Sequence, residues 1–440
     1  MANAVNFEEV HSNVAGIDIG SRDVFVSIDG KQVVKFKTFT SDYHSCCKYL
    51  QANGIVSVAM EATGVYRMSL YSMLEAYSIK VCLVHPREVQ QVKGRKTDVK
   101  DSQWIQRLYS AGLLRESIVA DGELKALRIL MRERLDLIEM GSTYVNKMQK
   151  YLELMNVKLR NVISQIHGAS GLRIIKAIIA GERDPEKLVV LCHERIQKNK
   201  REDVIKSLEG NYQEAYILLL KENLRLWEEH QASIRYIEQQ IGLLLEKLNR
   251  NNRHIEVTGT GNPARHHPPQ IKDLHQIMVQ MYGGVNLATI AGINDSTMLR
   301  LLGEIGYDMS RFPGIKQFIN WLGLSPKNKQ SGKMKKRIKS NANHAGLIFR
   351  QSAQSLLTSK HCAIGVFMRR IKGRKGSKVA IKSGARKIAE AFYNALTKGM
   401  DYVEQGVEKY TEQLKLKELQ LLNKLAKKYN YELSVYQNAT

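Results

Sequence analysis

Two aspartates three residues apart stand in Lys96-Thr97-Asp98-Val99-Lys100-Asp101, with Lys93 and Arg95 just before them. Thr97 or Asp98 reads as a helix cap, and an acid three residues on repeats the spacing of a capping box. Residues three apart share a helix face, so both carboxylates can address one point. An ordinary cap with a dipole-favoured acid would explain the stretch by itself. Two earlier acids change the reading. Asp18 interrupts the apolar strand pattern Gly16-Ile17-Asp18-Ile19-Gly20, where an acid is costly unless it is paired, exposed or binding a cation. Glu61 ends a second strand pattern in Met60-Glu61-Ala62-Thr63-Gly64, and ligands of such sheets collect beyond the carboxyl ends of strands. Four converging carboxylates repel one another unless neutralised. Hard oxygen donors suit Mg²⁺ or Mn²⁺. Two such ions about 3.5–4 Å apart would clamp the attacking and leaving oxygens of a phosphodiester. Asp18, Glu61, Asp98 and Asp101 are therefore the expected metal ligands.

The elements that must hold these acids alternate along residues 13–110. Strand patterns at 14–19, 23–28 and 33–39 form an antiparallel meander, with Asp29-Gly30 as the turn signal after the second. A helix at 41–52, a strand at 55–60, a helix at 65–77, a strand at 79–84 and a helix at 98–114 follow. A meander and then alternating helix and strand is a mixed α/β sheet.

Composition narrows the substrate. The chain of 440 residues carries a formal charge of +24 from 67 basic and 43 acidic residues. Between Arg311 and Met400, 21 Lys and Arg face one acid, Glu390. A folded surface normally interleaves both signs, so a block of one sign reads as a surface for polyanions, nucleic acid above all. No apolar run approaches the roughly 18 residues of a membrane span, and no signal pattern opens the chain. Five cysteines without metal-ligand spacing fit a reducing cytosol, and Cys46-Cys47 read as small packing residues.

The strand order resembles the ribonuclease H/RuvC-like fold. Asp18, Glu61 in Glu-Ala-Thr-Gly and Asp98/Asp101 in Lys-Thr-Asp-x-x-Asp resemble the DEDD transposases of bacterial insertion sequences, now described as bridge-RNA-guided recombinases. The resemblance covers residues 13–160 and 285–400, and is weaker over the enlarged middle. It implies a noncoding guide RNA, donor and target DNA as partners, and a homo-oligomer, dimer or tetramer, assembled through the helical region. It also implies a nucleophilic serine. In that family a serine before Gly, at a set distance from a proline, attacks the DNA phosphate. Ser331 in Gln330-Ser331-Gly332-Lys333, five residues after Pro326, stands at that place. Ser325 and Ser340 are its local rivals. A cytoplasmic, nucleoid-associated location would follow.

The remaining segments read as supports. Leu124, Met131, Ile138, Val145 and Leu152 recur every seventh residue, interrupted as a strict heptad by Arg134 and Gly141. Leu218, Leu220, Leu224, Trp227, Ile234, Ile237, Ile241, Leu244 and Leu248 form a second stripe. Two such helices are expected as an antiparallel hairpin or a dimerising coiled coil. Gly168-Ala-Ser-Gly171 faintly echoes a helix-hairpin-helix but reads better as a plain helical turn. Residues 250–284 read as an exposed linker, whose His254, His266, His267 and His275 lack zinc spacing and read as solvent or phosphate contacts. Ile290-Ala-Gly-Ile-Asn294 resembles a helix-hairpin-helix with Asn294 in a left-handed turn. Helices are expected at 345–358 and 378–397 around a basic loop, Arg369 to Lys378. Lys327, Lys329, Lys333, Lys335, Lys336, Arg337, Lys339, Arg374 and Lys375 are the expected nucleic-acid contacts.

The expected organisation is a RuvC-like metal-binding domain (13–120), a helical connector with inserted short helices (121–250), a linker (251–284), a basic domain with the serine (285–400) and a helical tail (401–440). The expected activity is a DNA recombinase working through a phosphoserine. The alternatives are a RuvC-like nuclease or junction resolvase that uses water, and a non-enzymatic nucleic-acid-binding protein. Gly16-x-Asp18-x-Gly20-Ser21 also resembles the first phosphate loop of sugar kinases, but its companion loops are missing and +24 fits such a substrate poorly.

Overall fold

Alternating apolar residues and an Asx turn make the opening meander. Val14–Ile19 (β1) pairs antiparallel with Asp23–Ser27 (β2), which pairs antiparallel with Val34–Lys37 (β3). Between β2 and β3, Asp29 Oδ1 accepts from the amides of Lys31 and Gln32, both at 2.8 Å, and Gly30 takes the left-handed φ of 68°. The computed structural model describes residues 8–61, 66–84, 89, 98–114, 122–257, 259–262, 264–326, 328–331, 334–337, 342–359 and 362–433. Of these, 98–100, 123, 328–331, 334–337, 404–411 and 414 are described by backbone alone.

Two further strands complete the sheet. Thr40–Ala52 (α1) leads to Ser57–Glu61 (β4), Arg67–Ala76 (α2) to Lys80–Val84 (β5), and Asp98–Ser110 (α3) follows. β4 runs parallel to β1 and β5 parallel to β4, giving the order β3-β2-β1-β4-β5. One face, with Ile17, Val58 and Met60, is buried with Cys46, Cys47 and Leu50 of α1 and Leu70 and Leu74 of α2. Burial pushes the Cys46 thiol up to about 12 and the Cys47 thiol to about 11, as packing residues require. The other face carries Val14, Ala59, Cys82 and Val84 against Ile105 and Tyr109 of α3.

The chain divides into two compact units, residues 1–119 and 120–440. In the second, Glu123–Leu154 (α4) and Glu214–Leu248 (α9) pack along each other. Early α4 meets late α9 at Arg134–Glu238, and late α4 meets early α9 where Met148 and Leu152 share a core with Leu220 and Leu224. The two heptad stripes therefore close on each other as an antiparallel hairpin within one chain. Leu218 stands outside that seam, exposed. Arg134, which breaks the stripe in sequence, is buried as half of an ion pair: its Nη2 lies 2.7 Å from Glu238 Oε1, with both side chains under 5% exposed.

Between these helices Leu159–Val162 (α5), Ala169–Ile179 (α6), Pro185–Val190 (α7) and Glu194–Ser207 (α8) build a core of their own with the ends of the hairpin. Gly168 is the extended N-cap of α6. A Cβ on Gly171 would lie 2.2 Å from the Ile166 carbonyl oxygen. The glycines thus serve a close helix start, the plain turn of the sequence reading.

Leu274–Met281 (α10), Asp295–Ile305 (α11), Ile315–Trp321 (α12), His344–Leu356 (α13), Ala363–Lys375 (α14), Ser377–Lys398 (α15) and Met400–Lys428 (α16) complete the unit. Three expectations change here. The end of the supposed linker is α10, which buries Leu274, Met278 and Met281 at helical spacing. His275 makes no solvent contact of the expected kind: its Nδ1 lies 2.8 Å from Asp295 Oδ1, with both side chains largely buried. Asn294 is extended, with φ −133°, and its side chain caps α11 by accepting from the Thr297 amide at 2.8 Å. The left-handed residue is Gly292. Asn caps a helix more readily than it occupies a left-handed turn.

Candidate active site

β1 presents alternate residues to opposite faces. Ala15 and Ile17 enter the core under α1 and α2, while Val14 packs with α3. Gly16 and Asp18 belong to the α3 face by the same alternation. In β4, Val58 and Met60 face α1 and α2 and Ala59 faces α3, which assigns Glu61 to the α3 face as well. The parallel register runs Gly16↔Ala59 and Ile17↔Met60. Asp18 and Glu61 are the next residues of two neighbouring strands, at their carboxyl ends, and both are half-buried.

α3 runs against these strands. Near its end, Tyr109 Oη lies 2.5 Å from Ser57 Oγ at the start of β4. One turn earlier, Gln106 Nε2 donates to the Val14 carbonyl at 3.5 Å. Ser102 and Gln106 lie over Gly16, where a Cβ would come 2.3 Å from both the Ser102 oxygen and the Gln106 nitrogen. One more turn toward the helix start carries 98–101 to the end of the sheet where Asp18 and Glu61 stand. Asp101 is half-buried there; of Asp98 the backbone alone is described. The helix is fixed by Arg107 Nε donating to the Gly30 carbonyl at 3.0 Å and by Gln103 Nε2 donating to the Lys31 carbonyl. Among the described residues, no group of three or more His, Cys, Asp or Glu side chains gathers as a metal site.

Gly16, Gln106 and Arg107 are the positioning residues that the sequence reading passed over. A glycine inside a strand marks a close backbone approach, and that signal was present. Gly16→Ala is expected to lower stability by about 1–3 kcal/mol, the usual cost of overpacking a filled site. It should also displace the helix start from Asp18. Thermal unfolding checks this, and an unchanged midpoint would mean that α3 does not rest on β1.

Within the basic segment, the described backbone is paired. Asn328–Ser331 (β6) and Met334–Arg337 (β7) form an antiparallel pair, with Ser331 the last residue of β6, opposite Met334. The register sets Lys329 across from Lys336, a pairing that costs stability without a counter-charge. Lys335 stands across from Gln330 and Arg337 across from Asn328. Lys327, Lys333 and Lys339 lie outside the described residues, as do the side chains of the two strands, Ser331 included. The expected loop from Arg369 is instead the second half of α14. Arg374 and Lys375 are exposed in its last turn, and Gly376, with φ 81°, follows as the cap. Cations in a last turn favour the helix through its dipole, so charge alone gave no warrant for a loop there.

Residues 15–157 match the family model described as DEDD_Tnp_IS110, a transposase. Residues 285–359 match the family model described as Transposase IS116/IS110/IS902 family. The first segment contains all four acids and the second contains Ser331. No curated protein matches the chain.

Proposed function

This chain belongs to the IS110 family of DEDD transposases, and from that premise we propose that it cleaves and rejoins DNA through a phosphoserine at Ser331. The family membership makes it a DNA transposase or recombinase; the covalent route, its metal and its guide are the proposal. The observation that carries the reading is the β1–β4 register, which brings Asp18 and Glu61 to adjacent strand ends on the face that α3 covers. That arrangement, with Asp101 beside Ser102 at the start of α3, is one that a RuvC-like metal domain would use.

The donor set fits a hard divalent cation: carboxylates alone, at the carboxyl ends of parallel strands. Mg²⁺ or Mn²⁺ held by Asp18, Glu61, Asp98 and Asp101 would neutralise them and polarise the scissile phosphate. Ser331 Oγ then attacks phosphorus. The Oγ–P bond forms, the bond to one sugar oxygen breaks, and that oxygen leaves as a hydroxyl after taking up a proton. A serine hydroxyl is a weak nucleophile until its own proton is drawn off, a task for a carboxylate of the acid set. Lys333 and the cations of the hairpin would offset charge on the equatorial oxygens. The serine ester conserves the phosphodiester's energy, so rejoining needs no high-energy cofactor.

The DNA would be chosen through pairing with a noncoding guide RNA, and Lys327, Lys329, Lys333, Lys335, Lys336, Arg337, Lys339, Arg374 and Lys375 would hold the phosphate backbones. The acids and the serine belong to different units of the chain, so a homo-oligomer could combine them across protomers. Among the described residues no helix is long and apolar enough to cross a membrane.

The deciding experiment incubates the protein with guide RNA, DNA and Mg²⁺, denatures it and seeks a protein–DNA adduct. Wild type should give one, with the phosphate mapped to Ser331 by mass spectrometry, and Ser331→Ala none. An adduct that survives Ser331→Ala, or cleavage by wild type without an adduct, would replace the serine route with attack by water.

A further inference from the structure

The β6–β7 pair that carries Ser331 rises from one platform and returns to it. Phe318 of α12, Phe349 of α13 and Phe392 of α15 are fully buried against one another, with ring centroids 5.6 to 6.5 Å apart. The chain leaves this platform at the end of α12, forms β6 and β7, and comes back as the start of α13.

Both roots of that excursion are tied down by side chains. On the way out, the ammonium of Lys382 in α15, half-buried, donates to the Ser325 carbonyl at 2.9 Å. On the way back, Asn343 makes two bonds. Its Oδ1 accepts from the Gly346 amide at 2.8 Å and caps α13. Its Nδ2 donates at 3.1 Å to the carbonyl of Trp321, the last residue of α12, where a helix end leaves its carbonyls without intrahelical partners. Capping needs only an acceptor, and serine or aspartate would serve as well. The second bond needs an amide, and it joins the exit of the segment to its return. Gly346 lets the two meet, since a Cβ there would lie 2.1 Å from the Leu322 carbonyl oxygen.

Ser331 stands at the far end of this arm. It is three residues beyond Asn328, the first residue of the ladder, or about 10 Å along the strand. A two-stranded pair alone is marginally stable in water, so its direction is set at its roots. A tilt of about 6° there carries the tip about 1 Å, and a misplacement of that size can cost about 10²-fold in rate.

We propose that Asn343 and Lys382 are positioning residues for Ser331, fixing the two roots of the β6–β7 arm and so the place of its tip. This rests on the reading of Ser331 as the nucleophile.

The test uses the full chain. Asn343→Ser keeps a capping oxygen and loses the amide donor; Lys382→Met keeps the stem and loses the ammonium, and Lys382→Arg returns a donor. Asn343→Ser and Lys382→Met are each expected to form the Ser331 adduct at least about tenfold more slowly at saturating DNA. The DNA concentration for half-maximal rate and the thermal midpoint should stay at wild-type values, and Lys382→Arg should recover most of the rate. Wild-type rates in the first two variants overturn the proposal. So does a loss confined to the half-maximal DNA concentration, which would make Lys382 a phosphate contact, or one that follows a fallen thermal midpoint, which would make both residues merely structural. A second readout needs no chemistry at Ser331. Nitroxides at Lys333→Cys, between the strands, and at Gln354→Cys, exposed on α13, report one distance by pulsed electron paramagnetic resonance. Cys362→Ser removes the one cysteine that is not buried. The distance distribution is expected to widen on adding Asn343→Ser or Lys382→Met, and an unchanged width rejects the anchoring. Widening in a protein whose wild type forms no adduct would uphold the anchoring and sink the serine reading alone.

Discussion

Asp101→Ala is expected to bind duplex DNA as wild type does and to cleave it at least about a hundredfold more slowly in Mg²⁺, and Asp18→Ala to do the same. The expected size follows from what such groups do: removing one fixed electrostatic stabiliser of a transition state costs about 10²–10³ in rate, and a ligand lost from a shared metal site removes several at once. The two residues come from different elements, a strand and a helix, held together where Ser102 and Gln106 meet Gly16. Equal losses from the two would tie both elements to one centre. Asp23 is the control. It lies on β2, one strand over, with its carboxylate on Lys35 at 2.9 Å and Lys37 at 2.8 Å. Those lysines hold its carboxyl below the usual range, and an exposed pair of this kind contributes little to stability. Asp23→Ala should cleave normally. The measurement is strand cleavage of end-labelled DNA beside a binding titration. Wild-type cleavage by Asp101→Ala would remove that residue from the centre and leave the helix start as an ordinary capped terminus.

Arg134→Ala should destabilise the second unit by about 3–5 kcal/mol, the range for breaking a buried pair by removing one partner. The reason is the charge left behind. Glu238 Oε1 accepts from Arg134 Nε at 2.8 Å, and Glu238 Oε2 accepts from the Gln270 amide at 3.1 Å. Without the guanidinium, a carboxylate remains between two helices with one amide for company. Arg134 Nη2 also donates to the His267 carbonyl at 2.8 Å, so the same change unties the segment between α9 and α10. Replacing both partners with apolar residues of similar volume, Arg134→Met with Glu238→Leu, should recover most of the loss, since such exchanges are often neutral or better. Urea denaturation of wild type and the two variants checks this. A double variant no more stable than Arg134→Ala would show that the ties to His267 and Gln270 matter more than the ion pair.

Arg134 also shows where sequence reasoning stops. Its position in the stripe was visible and read as an interruption, because the carboxylate that completes it stands 104 residues later, on a helix whose direction the sequence left open. The strands and helices of the first unit were legible because they signal locally, through alternation, an Asx turn and helical spacing. The acids were legible as an odd expense within apolar strands. The seat of α3 was not, since it depends on what Gly16 lacks. The basic helix at 363–375 was misread for a related reason: its charges and Gly373 are loop-like in composition, yet a helix tolerates one glycine at a cost of about 1 kcal/mol. His275 looked solvent-facing because its partner, Asp295, begins another helix.

The antiparallel run of α4 and α9 has a consequence for how this chain can change over time. Residues 155–213 leave and re-enter at the same end of the two helices and share a core with that end alone. They are, topologically, an interchangeable head on a stalk about 48 Å long, from 32 residues of α4 at 1.5 Å each. Lengthening such a head costs the stalk only a closure term that grows slowly, about 0.6 kcal/mol per doubling. This head can therefore gain or lose residues while the helices beneath it keep their register.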